Sequence, residues 1–306
     1  MVRFDSGLTF LLFFVLKGVS GATFTFVNKC SYTVWPGILG QPVLETTGFE
    51  LVNGNSRSIQ APVGWSGRFW GRTGCNFDGS GHGTCGTADC GSGEMECNGA
   101  GATPPATLAE FTLGSSPSAQ DFYDVSLVDG YNLQMIVEVN GGSGSGTCGT
   151  TGCLDDLNRR CPSELKVAGG EGCRSACEAF GTPEYCCKGE FGSPESCKPT
   201  AYSQVFKTAC PRSYSYAYDD ATSTFTCTAA DYVITFCPSL PSGKSGKDLT
   251  KPTNRSRSNP LEGFLSNSSL YADLATSYST AINRPSSTLI FIIFINILIL
   301  SSFLLL

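Results

Sequence analysis

Cysteine constrains this chain more than any other feature. All 16 cysteines fall between Cys30 and Cys237. An even count behind a secretion signal means disulfides. The signal itself is short. Met1 to Arg3 gives a positive start, and Leu8 to Leu16 is an apolar run too short to span a bilayer. Val19-Ser20-Gly21 and Ser20-Gly21-Ala22 both suit a signal peptidase. Residues 1–21 are therefore expected to be a signal peptide, with the mature chain starting at Ala22 or Thr23. Clustered cysteines also suit zinc, but an oxidising route disfavours it, so no metal is expected. Spacing alone leaves the disulfide pairing open.

The other end carries a second apolar run, Leu289 to Leu306, with no Lys or Arg behind it. A polar spacer, Ile282 to Thr288, and small residues, Ser279-Thr280-Ala281, precede it. That order is the signal for a glycosylphosphatidylinositol anchor, here at Ser279, with residues 282–306 as the removed propeptide. Asn267-Ser268-Ser269 is another attachment triplet, and a membrane-spanning tail is the competing reading. Residues 239–281 are rich in Ser, Thr and Asn and read as a flexible stalk. Asn254 and Asn267 head sequons for N-glycans. The expected destination is the outer face of the plasma membrane, in contact with the cell wall.

Residues 22–238 remain for the folded body, long enough to bury a core. Thr23 to Asn28, Arg57 to Ala61 and Gly67 to Gly71 alternate as strands between frequent turns, which argues for a mainly β chain built as a sandwich. Cys148 to Cys197 differs. It is dense in cysteine and poor in large apolar residues, with one short helix expected around Asn158 to Val167. Leu108 to Leu113 and Asp121 to Val128 read as neighbouring strands. Asp129-Gly130 then signals a hairpin, with Tyr131 to Val139 returning beside the second strand. These elements carry Glu110, Asp121, Asp124 and Asp129. Carboxylates held close resist ionising together, which is the basis of acid and nucleophile roles in sugar hydrolysis. They also suit a plain solvated strand face.

Other chemistries are absent. His82 is the only histidine and sits in a glycine-rich loop with no nucleophile elbow around it. Histidine-rich zinc sites are excluded by count, and no dinucleotide or phosphate-loop fingerprint follows a strand, so no cofactor is expected. The net charge is −6, which makes nucleic acid an unsuitable partner.

Gly81-His82-Gly83-Thr84-Cys85-Gly86-Thr87-Ala88-Asp89-Cys90-Gly91-Ser92-Gly93-Glu94-Met95-Glu96-Cys97 resembles the thaumatin signature. Trp70-Gly71-Arg72-Thr73-Gly74-Cys75, Pro104-Pro105-Ala106-Thr107-Leu108-Ala109-Glu110-Phe111, Tyr185-Cys186-Cys187 and Ser223-Thr224-Phe225-Thr226-Cys227 carry the likeness across residues 22 to 238. The stretch is similar to plant thaumatin-like proteins of the osmotin and zeamatin type. The resemblance implies a flattened β-sandwich core, a disulfide-rich second lobe and a small third lobe. It implies the pairs Cys30–Cys237, Cys75–Cys85, Cys90–Cys97, Cys148–Cys227, Cys153–Cys210, Cys161–Cys173, Cys177–Cys186 and Cys187–Cys197. It further implies an acidic cleft whose residues fall here on Arg68, Glu110, Asp124, Asp129 and Asp219, with Asp220 adjacent to the last. The implied role is a monomeric, pathogenesis-related, antifungal defence protein binding β-1,3-glucan or another wall polysaccharide. Its alternatives are a weak endo-β-1,3-glucanase, or a non-catalytic surface module in structure or signalling. In the glucanase reading Glu110 is the proton donor and Asp124 the nucleophile or base.

Overall fold

The computed structural model describes residues 20–238 except 144, 145 and 170. The signal peptide before Ser20, the stalk, both sequons, Ser279 and the apolar tail lie outside the described residues. Among the described residues no helix is long and apolar enough to cross a membrane.

The strands are β1 (Ser20–Asn28), β2 (Trp35–Gln41), β3 (Ser56–Pro62), β4 (Ser66–Arg72), β5 (Asn76–Phe77), β6 (Gly83–Thr84), β7 (Leu108–Thr112), β8 (Gln120–Ser126), β9 (Met135–Ser143), β10 (Thr151–Cys153) and β11 (Phe225–Phe236). Nine of them form one sheet in the order β10-β9-β11-β8-β7-β4-β2, with β1 parallel to β11 and β3 on the far side of β1. The sheet curls on itself. Phe24 and Phe26 of β1 have no hydrogen-bonded neighbour in β4 or β7. Yet the Phe24 ring lies 4.7 Å from both Phe69 and Phe111, and Phe26 lies 5.1 Å from Phe69. These rings, with Trp65, Tyr123 and Tyr232, fill the space between the two layers. Alternation sets this up: Ala22, Phe24 and Phe26 of β1, Phe69 of β4, and Ala109 and Phe111 of β7 fall on one face of their strands, so each strand gives that face to the core.

The disulfide-rich lobe carries α1 (Leu157–Arg160), α2 (Ala176–Phe180), α3 (Pro183–Cys186) and α4 (Ala201–Ala209), and α5 (Asp220–Ser223) precedes β11. The expected helix from Asn158 to Val167 is therefore cut to one turn. Pro162 is the reason, because the residue before a proline is driven out of helical geometry; Cys161 sits at φ −60°, ψ 127°. The small loop-rich lobe follows β4. It is pinned by Arg72, which is fully buried and donates to the backbone oxygens of Trp35 and Met95.

The expected hairpin at Asp129-Gly130 is corrected by the sheet order. The turn forms, and Gly130 adopts φ 87° with Pro105 and the Cys173 carbonyl packed where a side chain would point. However, Tyr131 bridges to Cys173, β9 starts only at Met135, and β11 lies between β8 and β9. β11 is the longer strand and buries alternate residues along much of its length, so it outcompetes a local pairing.

All sixteen cysteines close into the eight pairs named above and none is free. Cys30–Cys237 spans 207 residues and ties the start of the body to its end. A loop that long is worth about 5 kcal/mol in the loop-closure account. Two outcomes are expected. The unreduced protein reacts with no thiol reagent, and one pair of alkylated cysteines counts against the framework. Phe24→Ala costs about 3–5 kcal/mol in chemical denaturation, as a large buried ring should; a loss below ~1 kcal/mol means the two layers do not meet at Phe24.

Candidate functional site

The pairing register builds the site. Leu39 of β2, Arg68 of β4, Glu110 of β7 and Asp124 of β8 lie directly opposite one another across four adjacent strands. Phe69, Phe111, Tyr123 and Val125 point into the aromatic core. Arg68, Glu110 and Asp124 therefore share the other face, since side chains alternate along a strand. Directly opposed antiparallel residues bring their Cβ atoms to roughly 4.5–5.5 Å. The row is bounded on one side by buried Trp70 and Leu108, and on the other by Ser66 and Thr112, whose hydroxyls lie 3.2 Å apart.

Asp121 does not join this row. It is three residues from Asp124, so it faces the opposite way. Its carboxylate accepts from the Gly114 amide at 2.8 Å and the Tyr232 hydroxyl at 2.8 Å. That acid holds the far end of the sandwich together.

Asp129 reaches the row from the turn after β8. Its backbone oxygen accepts from Ala106, which fixes the turn. Its side chain is close enough to Arg68 and Glu110 to act on both electrostatically. Lys188 and Glu178, from the disulfide-rich lobe, also interact electrostatically with Asp129. The disulfide-rich lobe thus borders the Asp129 end of the row. On the remaining side, Arg68 packs against Gly101, where an added methyl would come within 3.0 Å of Nη2.

Asp219 arrives as part of a loop docked on β8. Tyr214 donates its amide to Val125 O and accepts from Leu127 N, taking the place β11 occupies earlier along β8. The Asp219 carboxylate then turns back into its own loop. It pairs with Lys207 at 2.9 Å and accepts from the Ser215 amide and hydroxyl at 3.0 and 2.9 Å. Its neighbour Asp220 accepts from the Tyr214 hydroxyl at 2.9 Å and acts electrostatically on Asp124. Asp220, Tyr214, Glu178 and Lys188 carry no motif of their own in the sequence. Only the doubled acid Asp219-Asp220 hints at one of them.

The electrostatics are uneven. Glu110 is raised to about 6, chiefly because protein surrounds its carboxyl; the Arg68 charge works against the rise and Asp129 adds to it. Asp124 is pushed well above the usual carboxylate range by burial, then by Glu110 and Asp220. It is 5% exposed, and its Oδ2 has no hydrogen-bond partner. Asp129 is raised as well, mainly by burial, although Arg68 and Lys188 pull it down. Among the described residues no group of three or more His, Cys, Asp or Glu is arranged to hold a metal ion. His82 is exposed in the small lobe, where its amide donates to Asp78.

The sequence matches the thaumatin family over residues 28–238. The chain belongs to the thaumatin family. It is 67% identical over 244 residues to Thaumatin-like protein 1 of Arabidopsis thaliana, covering 76% of this chain and 94% of that relative. It is 60% identical over 227 residues to Pathogenesis-related thaumatin-like protein 3.5 of Cryptomeria japonica, covering 72% and 92%. Among solved structures, a thaumatin-like xylanase inhibitor aligns at TM-score 0.40 and 24% identity, covering 70% of this chain and 99% of that one.

Burial of Asp124 has a stability consequence in this thaumatin-family protein. An Asp ionises near 3.9 in the unfolded chain. Its folded value is raised, so its favourable contribution is full below that pH and is lost as pH rises through the folded value. Asp124→Asn removes the burden of a buried charge. The variant is expected to be more stable than the parent by about 1 kcal/mol or more at pH 8, with the gain shrinking toward zero at pH 4. Denaturant unfolding at the two pH values checks this, and an equal effect at both would contradict the buried-charge account.

Proposed function

We propose that this protein is an extracellular defence protein that binds β-1,3-glucan of a cell wall in the cleft formed by Arg68, Glu110, Asp124 and Asp129. The observation that carries the reading is the cross-strand row Arg68–Glu110–Asp124 on the face turned away from the core. A neutral polysaccharide offers only hydroxyls and ring oxygens. Carboxylates accept from hydroxyls, and an arginine or a protonated acid donates to oxygens, so this row matches both halves of a sugar's hydrogen bonding. Asp219 belongs to this reading through its loop, which its pairing with Lys207 stabilises and which presents Asp220 to the cleft.

The protein acts as a monomer at the outer face of the plasma membrane, held by a lipid anchor attached near Ser279 behind a glycosylated stalk. Support for the anchor is the order of small residues, polar spacer and apolar end in the sequence. Phosphatidylinositol-specific phospholipase C is expected to release the protein from membranes. Retention with the tail still present by mass favours a membrane-spanning tail.

A second reading is weak endo-β-1,3-glucanase activity, favoured by two opposed carboxyls with raised proton affinities, the pattern glycoside hydrolysis uses. Binding of the purified protein to β-1,3-glucan, with reducing-sugar release followed in parallel, tests both. Glu110→Gln is expected to weaken binding about tenfold or more, as losing a charged hydrogen-bond partner does, and to abolish any sugar release. Undiminished affinity in a well-folded Glu110→Gln protein rejects the cleft as the glucan site.

A further inference from the structure

The disulfide-rich lobe carries a surface of a different chemistry from the acid row. Among the described residues Tyr32, Val43, Val52 and Phe180 are the exposed large apolar side chains. Of these, Phe180 belongs to a ring cluster. Its centroid lies 5.6 Å from Tyr185 and 5.3 Å from Tyr202, and those two rings meet at 5.7 Å. The rings come from α2, α3 and α4 and cross at 47°, 44° and 78°, so none covers another face to face. Disulfides already hold these helices together. Cys177–Cys186 ties α2 to α3, and Cys187–Cys197 ties the end of α3 to the segment before α4. The same helices border the acid row. Glu178 of α2 and Lys188, just past α3, act electrostatically on Asp129. A crevice lined by Leu127, Val128, Tyr185, Tyr202 and Tyr216 joins the lobe to the turn that carries Asp129. It has room for a few waters at most, so a sugar ring can only lie along its lip, where Phe180 packs on Tyr185.

We propose that Phe180 and Tyr185 form a stacking platform that carries a glucan chain beyond the acid row. The proposal rests on the glucan reading above and adds a second point of contact to it. In β-linked glucose every ring substituent is equatorial, so the hydroxyls point out from the rim and each face shows only axial C–H bonds. Those C–H bonds are slightly positive, and the face of an aromatic ring is negative. A polar row takes the rim of one sugar, and an aromatic platform takes the face of another. Asp129 stands at the end of the row nearest the lobe, and α2 and α3 present both its charged neighbours and the rings. An aliphatic side chain in place of Phe180 would bury apolar area without the attraction to a ring face. A partner protein docked on the patch would need the area; a sugar needs the ring.

Titration calorimetry of the purified protein with laminaribiose and laminarihexaose, the two-sugar and six-sugar β-1,3-glucans, tests this. The parent is expected to bind the longer chain about tenfold or more tightly than the shorter one, because only the longer chain reaches both surfaces. Phe180→Leu is expected to lose about fivefold or more of the hexaose affinity and none of the biose affinity, as loss of a ring contact should. Phe180→Trp, which keeps a ring, is expected to retain the preference for length, and Tyr185→Ala to lose it. Chemical denaturation confirms that each variant is folded. Hexaose affinity unchanged in folded Phe180→Leu overturns the platform, and so does an equal loss for both lengths, which would place the effect at the acid row. A parent that binds both lengths equally, with Glu110→Gln weakening both, keeps the glucan reading and removes the platform. A parent that binds neither sinks the glucan reading and the platform with it.

Discussion

β11 is the constraint on which the rest depends. Its twelve residues pair with β8 through Phe225–Thr228, with β9 through Thr228–Phe236, and in parallel with β1 through Tyr232–Phe236. Among the described residues it is the strand that hydrogen-bonds to β1 as well as to β8 and β9. Tyr232 meets the Phe24 and Phe111 rings from it, at 5.7 and 5.0 Å, so the same strand also sets the aromatic core. Disulfides lock it near both ends, Cys227 to Cys148 and Cys237 to Cys30. Without this late strand, β1 and β7 would have no hydrogen-bonded connection and their phenylalanines no reason to meet.

The face that carries the acid row is a consequence of that core. Once Phe69, Phe111 and Tyr123 are committed inward, the alternation of each strand obliges Arg68, Glu110 and Asp124 to point outward together. A one-residue slip of β8 would bury Asp124 in the aromatic layer and expose Tyr123, at a cost no local contact could offset. The register that protects the core therefore also holds two acids at close range. Their mutual repulsion is tolerated because eight disulfides and a continuous core supply the stability it removes.

Much of this was legible in the residues, for identifiable reasons. Alternation in Thr23–Asn28 and Leu108–Leu113 gave strands because one face is buried and the other is not. Glu110 and Asp124 could be placed side by side because the connection between their strands is short. The turn signal at Asp129-Gly130 is local and implies a hairpin, whereas the partner of β8 beyond it is set by β11, about a hundred residues later in the chain. Of the helices in the disulfide-rich lobe, only the one near Asn158 has a signal in the residues; the others are one to three turns long, too short for a periodic stripe. Asp121 lies on the same strand as Asp124, but three residues separate the two. Parity alone puts it on the core side.

Asp219 and Asp220 show where a residue pattern stops deciding chemistry. Both are half-buried, adjacent and ordinary in sequence. Lys207 lies on the last turn of α4 and reaches Asp219, Ser213 and Ser223, so that loop closes around one ammonium. With Asp219 neutralised there, Asp220 is the acid whose field reaches Asp124, steadied by the Tyr214 hydroxyl. An extra negative charge beside a buried acid does one thing physically: it favours the protonated form. The second aspartate of the pair thus has a role that needs no contact with ligand, and the first has a role in holding the loop that presents it.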